Sequence, residues 1–245
     1  MTLFRSRRSL ATRTAQFLLT CWIAAPATTS AAQQPTDLLD VGSFTLFVDD
    51  QRAGREQFSM RQSRGADGVT YELRSESATG DRRSAVRLEA DSAGTPLRYS
   101  VEERIGATVS LRLGGQRVRG RFTTLSRSVT GEAAREYLLL PGTMVLERDG
   151  VLQYALLVRG TLGLGDSTSL AVLTPTTNQS GRARVVLQSM TDTVSIAGSR
   201  RAARRWSVTS HDAEERLIWA DDSGRLLRVR IPARRFEAVR DDVPR

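Results

Sequence analysis

The stretch Arg216–Pro232, RLIWADDSGRLLRVRIP, holds two apolar-bearing strands around an Asp221-Asp222-Ser223-Gly224 corner. Those four residues suit a type I turn with Gly224 in the left-handed conformation, so the stretch reads as a tight antiparallel hairpin. A hairpin so rich in apolar residues and so poor in reactive ones belongs to a curled, one-faced sheet, which must fill its concave side with something.

Upstream, the same period of two recurs, the mark of strands with one buried and one solvated face. Phe44, Leu46 and Val48 share a face; so do Phe58 and Met60, and Val69, Tyr71 and Leu73. The series continues through Val86, Leu88 and Ala90, then Leu97, Tyr99 and Val101, then Val109, Leu111 and Leu113, then Val118, Gly120 and Phe122. Turns are expected at Gly65–Gly68, Thr79–Asp81, Ala93–Pro96 and Gly114-Gly115, at the spacing of an all-β sandwich or barrel. Further strands are expected at Ser169–Thr174, Ala183–Met190, Thr193–Gly198 and Ala203–Ser210.

One segment breaks the pattern. Leu152, Ala155, Leu156 and Arg159 follow helical spacing before Gly160, Gly163 and Gly165, which predicts a single short helix over Val151–Arg159. The expected fold class is therefore all-β: a large curled antiparallel sheet, an open barrel or β-roll of about a dozen strands, with one short helix as plug or lid.

At the N-terminus, Arg5, Arg7, Arg8 and Arg13 precede the apolar run Phe17–Ala25 and the small-residue stretch Ala27–Ala32. That is the layout of a secretory signal peptide over residues 1–32, followed by a single β domain over 33–245. Ser6-Arg7-Arg8-Ser9-Leu10 also fits a twin-arginine signal. The run is too short for a membrane span of roughly 20 residues, so after signal removal no transmembrane segment is expected and the mature protein should be soluble. Its location is exported, periplasmic or secreted.

Composition excludes much chemistry. All 36 basic residues are arginine, so there is no Walker lysine, Schiff-base lysine or Ser-x-x-Lys nucleophile. Cys21, the only cysteine, falls within the signal, leaving the exported chain neither thiol nor disulfide. His211, the only histidine, stands beside Asp212 in a polar stretch that reads as a loop. No metal site and no cofactor are predicted, and the acidic pairs Asp49-Asp50, Asp221-Asp222 and Asp241-Asp242 read as turn formers rather than Ca²⁺ ligands.

The stretches FTLFVDDQRAGREQFSM (44–60), SIAGSRRAARRWSVTS (195–210) and LIWADDSGRLLRVRIPARRFEAVRDD (217–242) resemble a group of uncharacterised exported bacterial β-proteins. Their closing-hairpin pattern falls here on Trp219, Asp221, Gly224, Leu226 and Arg228. That group is in turn similar to the periplasmic lipoprotein-localisation carriers. The resemblance implies an open β-barrel with a helical lid, the architecture with which those carriers hold acyl chains; it implies no catalytic residue.

More than about eight one-faced strands enclose more space than their own side chains fill, and only 6% of residues are aromatic. The reading that follows is a non-enzymatic carrier or binding protein for a lipid or other apolar ligand in the cell envelope. Its expected cavity residues are Phe44, Leu46, Tyr71, Tyr99, Phe122, Tyr154, Leu157 and Trp219. Two alternatives stay open: an envelope scaffold or adaptor, and a hydrolase with an unrecognised site. A sandwich of two packed sheets would bury the same residues with no cavity. Arg117, Arg119 and Arg121, and likewise Arg228 and Arg230, are spaced as outward stripes that could meet an anionic envelope surface; nucleic acid is not an expected partner.

Overall fold

A computed structural model describes residues 36–162 and 165–244. The expected signal peptide lies outside the described residues. Among them, fifteen strands form one continuous sheet. The strands are β1 (Thr36–Val48), β2 (Gln51–Gly65), β3 (Gly68–Thr79), β4 (Arg82–Asp91), β5 (Pro96–Ile105), β6 (Thr108–Val118), β7 (Arg121–Ser128), β8 (Gly131–Leu138) and β9 (Met144–Val145). A helix, α1 (Gln153–Thr161), then precedes β10 (Ser167–Thr174), β11 (Gln179–Ile196), β12 (Ser199–Thr209), β13 (Glu215–Ala220), β14 (Leu226–Ile231) and β15 (Phe236–Arg240). Two short 3₁₀ turns, Pro175–Thr177 and Pro232–Arg234, complete the chain.

The order is β8-β7-β6-β5-β4-β3-β2-β1-β15-β14-β13-β12-β11-β10-β9. Every neighbouring pair is antiparallel except β9–β10. The first and last strands pair at the centre, Phe44 opposite Arg240 and Val48 opposite Phe236, and two meanders run outward from that seam to the edges β8 and β9. The all-β curled sheet with one short helix is thus the observed architecture. No helix among the described residues is long and apolar enough to cross a membrane.

Two-residue connections set the hairpin register. Asp49-Asp50 and Arg119-Gly120 place both central residues at positive φ, the primed geometry that matches strand twist. In the β13–β14 hairpin, Gly224 is at φ +75. The Asp221 carboxylate accepts the Ser223 and Arg225 N–H groups at 2.9 and 2.8 Å.

The structure corrects four details. Gly114-Gly115 is no turn but the middle of β6: a Cβ on Gly115 would lie 2.6 Å from the Phe122 ring, so the glycine is where that ring packs across the strand pair. The chain instead turns at Arg119-Gly120, which breaks the expected Val118-Gly120-Phe122 row and leaves Val118 exposed. The two strands expected over 183–198 are one long strand, β11, with register shifts between Leu187 and Asp192. The hairpin β13–β14 is apolar on both faces. Ile218, Ala220, Leu226 and Val229 join the main core, while Trp219 and Leu227 join a second cluster with Val194, Ile196 and Ala203 of β11 and β12.

The main core lies on the concave side. Helix α1 buries Tyr154, Ala155, Leu156, Leu157 and Val158 there and contacts β13 and β14. The helix begins at Gln153 rather than Val151, and Leu152 serves as its N-cap. It fills the part of the hollow faced by the C-terminal meander.

Candidate functional site: an amphipathic cavity under the N-terminal meander

Opposite the inner face of β1–β6, a cavity of about 630 Å³ remains. Its far side is formed by Val145–Gly150, the start of α1, the two 3₁₀ turns and Phe236.

Strand periodicity gives the cavity a polarity gradient. Inward residues along β3 run Leu73, Ser75, Ser77, Thr79; along β4, Leu88, Val86, Ser84, Arg82; along β5, Tyr99, Val101, Glu103. Because neighbouring strands are antiparallel and in register, with Leu73 opposite Leu88 and Leu88 opposite Tyr99, the apolar members fall at one level and the polar members at another. Deep walls are therefore apolar, and the end at the β3–β4 turn is lined by hydroxyl and charged groups.

Charged residues cross that polar end. Arg82 pairs with Glu103 at 2.8 Å and with Asp149 at 3.5 Å, and Arg234 reaches Asp149 at 3.1 Å. Arg234 also donates to the Arg148 carbonyl at 2.8 Å and pairs with Glu214. The segment 147–150 is thereby tied to β4 on one side and to the Pro232–Arg234 turn on the other.

Two carboxyl groups face the cavity without a cation. Glu56 on β2 is 1% exposed and accepts the Leu152 N–H at 3.2 Å at the start of α1. Burial pushes it up to about 7 against the lowering effect of hydrogen bonds from the Leu152 and Val151 backbone and from Ser75. Glu147 is 7% exposed and accepts the Thr176 N–H at 3.2 Å and its hydroxyl. Burial pushes it likewise up to about 7, opposed mainly by the Thr176 contacts. Beside it, the Tyr99 hydroxyl is buried against the Glu147 carboxyl, in a residue 3% exposed. Burial, then the Glu147 charge, raises that hydroxyl well above its ordinary range.

Of the residues expected to line a cavity, Leu46 and Tyr99 do so. Phe44 is buried in the core, stacked on Phe58 with ring centroids 4.9 Å apart. Phe122 is fully buried, and Tyr71 packs half-buried against the main core. Tyr154 and Leu157 lie within the packed helix, away from the cavity lining. Trp219 points to the other side of the sheet: its indole N–H donates to Asp192 at 2.9 Å and Arg228 stacks on its ring at 4.8 Å. Glu56, Glu103 and Glu147 were not among the expected residues. The parity of Glu56 with Phe58 and Met60, and of Glu103 with Tyr99 and Val101, placed both on inward faces.

The two arginine groups are placed differently. Arg117 lies one residue from the end of β6, Arg119 sits in the turn and Arg121 opens β7. Arg117 pairs with Asp91 and Arg121 with Glu136, at 2.8 and 2.7 Å. Arg228 and Arg230 share a face, with Arg228 paired to Glu237. His211 is exposed, its ring 2.8 Å from the Gln179 side chain, while Asp212 is engaged by Arg216 and Ser210. Among the described residues no group of three or more acidic, histidine or cysteine side chains gathers as a metal site.

No family model and no curated protein matches the chain. Among solved structures it is similar to a β-barrel-like protein of the domain of unknown function DUF1849 from Brucella abortus, with TM-score 0.51 and 11% identity, covering 86% of this chain and 96% of that one. It also aligns with a DUF1089 family protein from Pseudomonas aeruginosa at TM-score 0.45 and 12% identity, covering 73% of this chain and 90% of the other. The first likeness shows a shared barrel-like fold and nothing about activity.

Proposed function

We propose that this protein is an exported, non-enzymatic carrier or binding protein that holds a lipid or other apolar molecule in the cell envelope. The observation that carries the reading is the cavity of about 630 Å³. Its size falls within the roughly 300–1,000 Å³ of small-molecule sites. It is walled at depth by Leu46, Leu73, Leu88 and Val101. The helix fills the other part of the hollow, so this space lies beside a packed core. Export rests on the basic and apolar N-terminal segment, and the resemblance to lipoprotein-localisation carriers agrees with an acyl-chain ligand.

The test is displacement fluorescence with N-phenylnaphthylamine, a dye that brightens in apolar surroundings. The wild-type protein brightens the dye, and a fatty alcohol competes it out. Val86→Trp, at a half-buried wall position, fills the space and removes the signal while the thermal melt stays cooperative. Equal dye binding by wild type and Val86→Trp would contradict the assignment to this cavity.

A further inference from the structure

The polar groups of the cavity carry a chemical preference. Glu147 and Glu56 are buried carboxyls that line one cavity, and among the described residues no arginine pairs with either; the neighbouring acids Glu103 and Asp149 are the ones that Arg82 and Arg234 engage. Both Glu147 oxygens accept hydrogen bonds from Thr176, which orients the carboxyl at the cavity wall. Once ionised, such a buried carboxylate is costly without a counter-charge, and among the described residues no cation pairs with it. Next to it stands the buried Tyr99 hydroxyl, which interacts with Glu147 and whose residue lines the same cavity.

We propose that the cavity is a site for an amphiphile with a cationic amine head, the ammonium seated against the Glu147 carboxylate and the Tyr99 hydroxyl and the hydrocarbon against Leu46, Leu73, Leu88 and Val101. This deepens the binding-protein reading and rests on it. An ammonium supplies three donors and a positive charge, whereas an anionic head placed there meets Glu147 and Glu56; the arginines that line the cavity, Arg82, Arg148 and Arg234, are already engaged by Glu103, Asp149 and Glu214. Ser75, Ser77 and Ser84 line the same cavity.

Three twelve-carbon probes separate the outcomes: dodecylamine, dodecanol and dodecanoate, titrated calorimetrically into the full protein at about pH 8, where the amine is cationic and the buried carboxyls are largely ionised. Dodecylamine is expected to bind at least about tenfold more tightly than dodecanol, and dodecanoate most weakly. Glu147→Gln, which keeps an acceptor for Thr176, should lose about tenfold of amine affinity and leave dodecanol unchanged. Tyr99→Phe, which keeps the ring, should lose amine affinity several-fold and serves should Glu147→Gln not fold. If dodecanol or dodecanoate binds as tightly as the amine, or if both variants hold the amine as wild type does, the head-group assignment fails while the apolar cavity stands. If no probe binds, the binding-protein reading fails with it.

Discussion

Glu56 and Glu147 set a pH dependence of opposite sign to that of ordinary surface acids. Each is held at about 7 in the folded protein, against an ordinary value of 4.5, so the folded state binds their protons more tightly than the unfolded chain. Their contribution to stability is complete below the unfolded value and is lost as pH rises through about 7. Asp212 acts the other way: burial alone would raise it, but hydrogen bonds from Arg216 and Ser210 hold it well below its ordinary value. Its stabilisation is present above the unfolded value and is lost only in strong acid. The melting temperature is therefore expected to fall between about pH 5 and 8. The double variant Glu56→Gln/Glu147→Gln should flatten that fall; an unchanged slope would show that these groups do not titrate there. At the same scale, Gly115→Val drives a side chain into the Phe122 ring and should cost about 1–3 kcal/mol in urea denaturation, as overpacking does.

Among the elements, the β13–β14 hairpin and the segment leading into α1 have distinct roles. The hairpin is buried on both faces because the distal parts of β11 and β12 cover Trp219 and Leu227. Trp219→Ala should cost about 3–5 kcal/mol, the magnitude of a core tryptophan deletion, while leaving dye binding in the cavity intact. A loss of dye binding without a loss of stability would place Trp219 in the cavity after all. The segment 147–150 is anchored by Asp149 between Arg82 and Arg234. Asp149→Asn removes both ion pairs and should speed ligand dissociation and amide hydrogen exchange over 146–152, with little change in the melt, since exposed ion pairs contribute little. Unchanged exchange would show that other contacts hold the segment.

The strands were legible wherever a single face is buried, as in Phe58-Met60 or Leu88-Ala90, because period two leaves no other reading. Legibility failed where a local residue answers to a distant one. Gly114-Gly115 looks like a turn until Phe122 is seen packing over it, and Trp219 looks like an inner residue until Val194 and Ala203 are seen covering it from outside. Glu56 and Glu103 were visible in parity but overshadowed by the apolar residues beside them, and Glu147, outside any strand, had no parity to show it. The short helix was read from its spacing, and its start shifted by two residues because Leu152 takes the capping position.

For the molecule as a whole, the seam between β1 and β15 joins the two meanders. Arg240, 2% exposed, donates to both Asp40 oxygens at 2.8 Å and to the Val41 carbonyl at 3.0 Å, and stacks on Phe58. Arg240→Ala leaves the buried Asp40 carboxylate without its partner and should destabilise by about 3–5 kcal/mol, measured by urea denaturation. A change under about 1 kcal/mol would mean water replaces the guanidinium. This seam holds together a sheet whose concave side is filled by α1 on one part and left open on the other. The most direct test of that division is native mass spectrometry of the protein purified without detergent. A population carrying a bound small molecule is expected, and is expected to be absent from Val86→Trp. An identical bare mass for both proteins, before and after incubation with lipid extract, would contradict it.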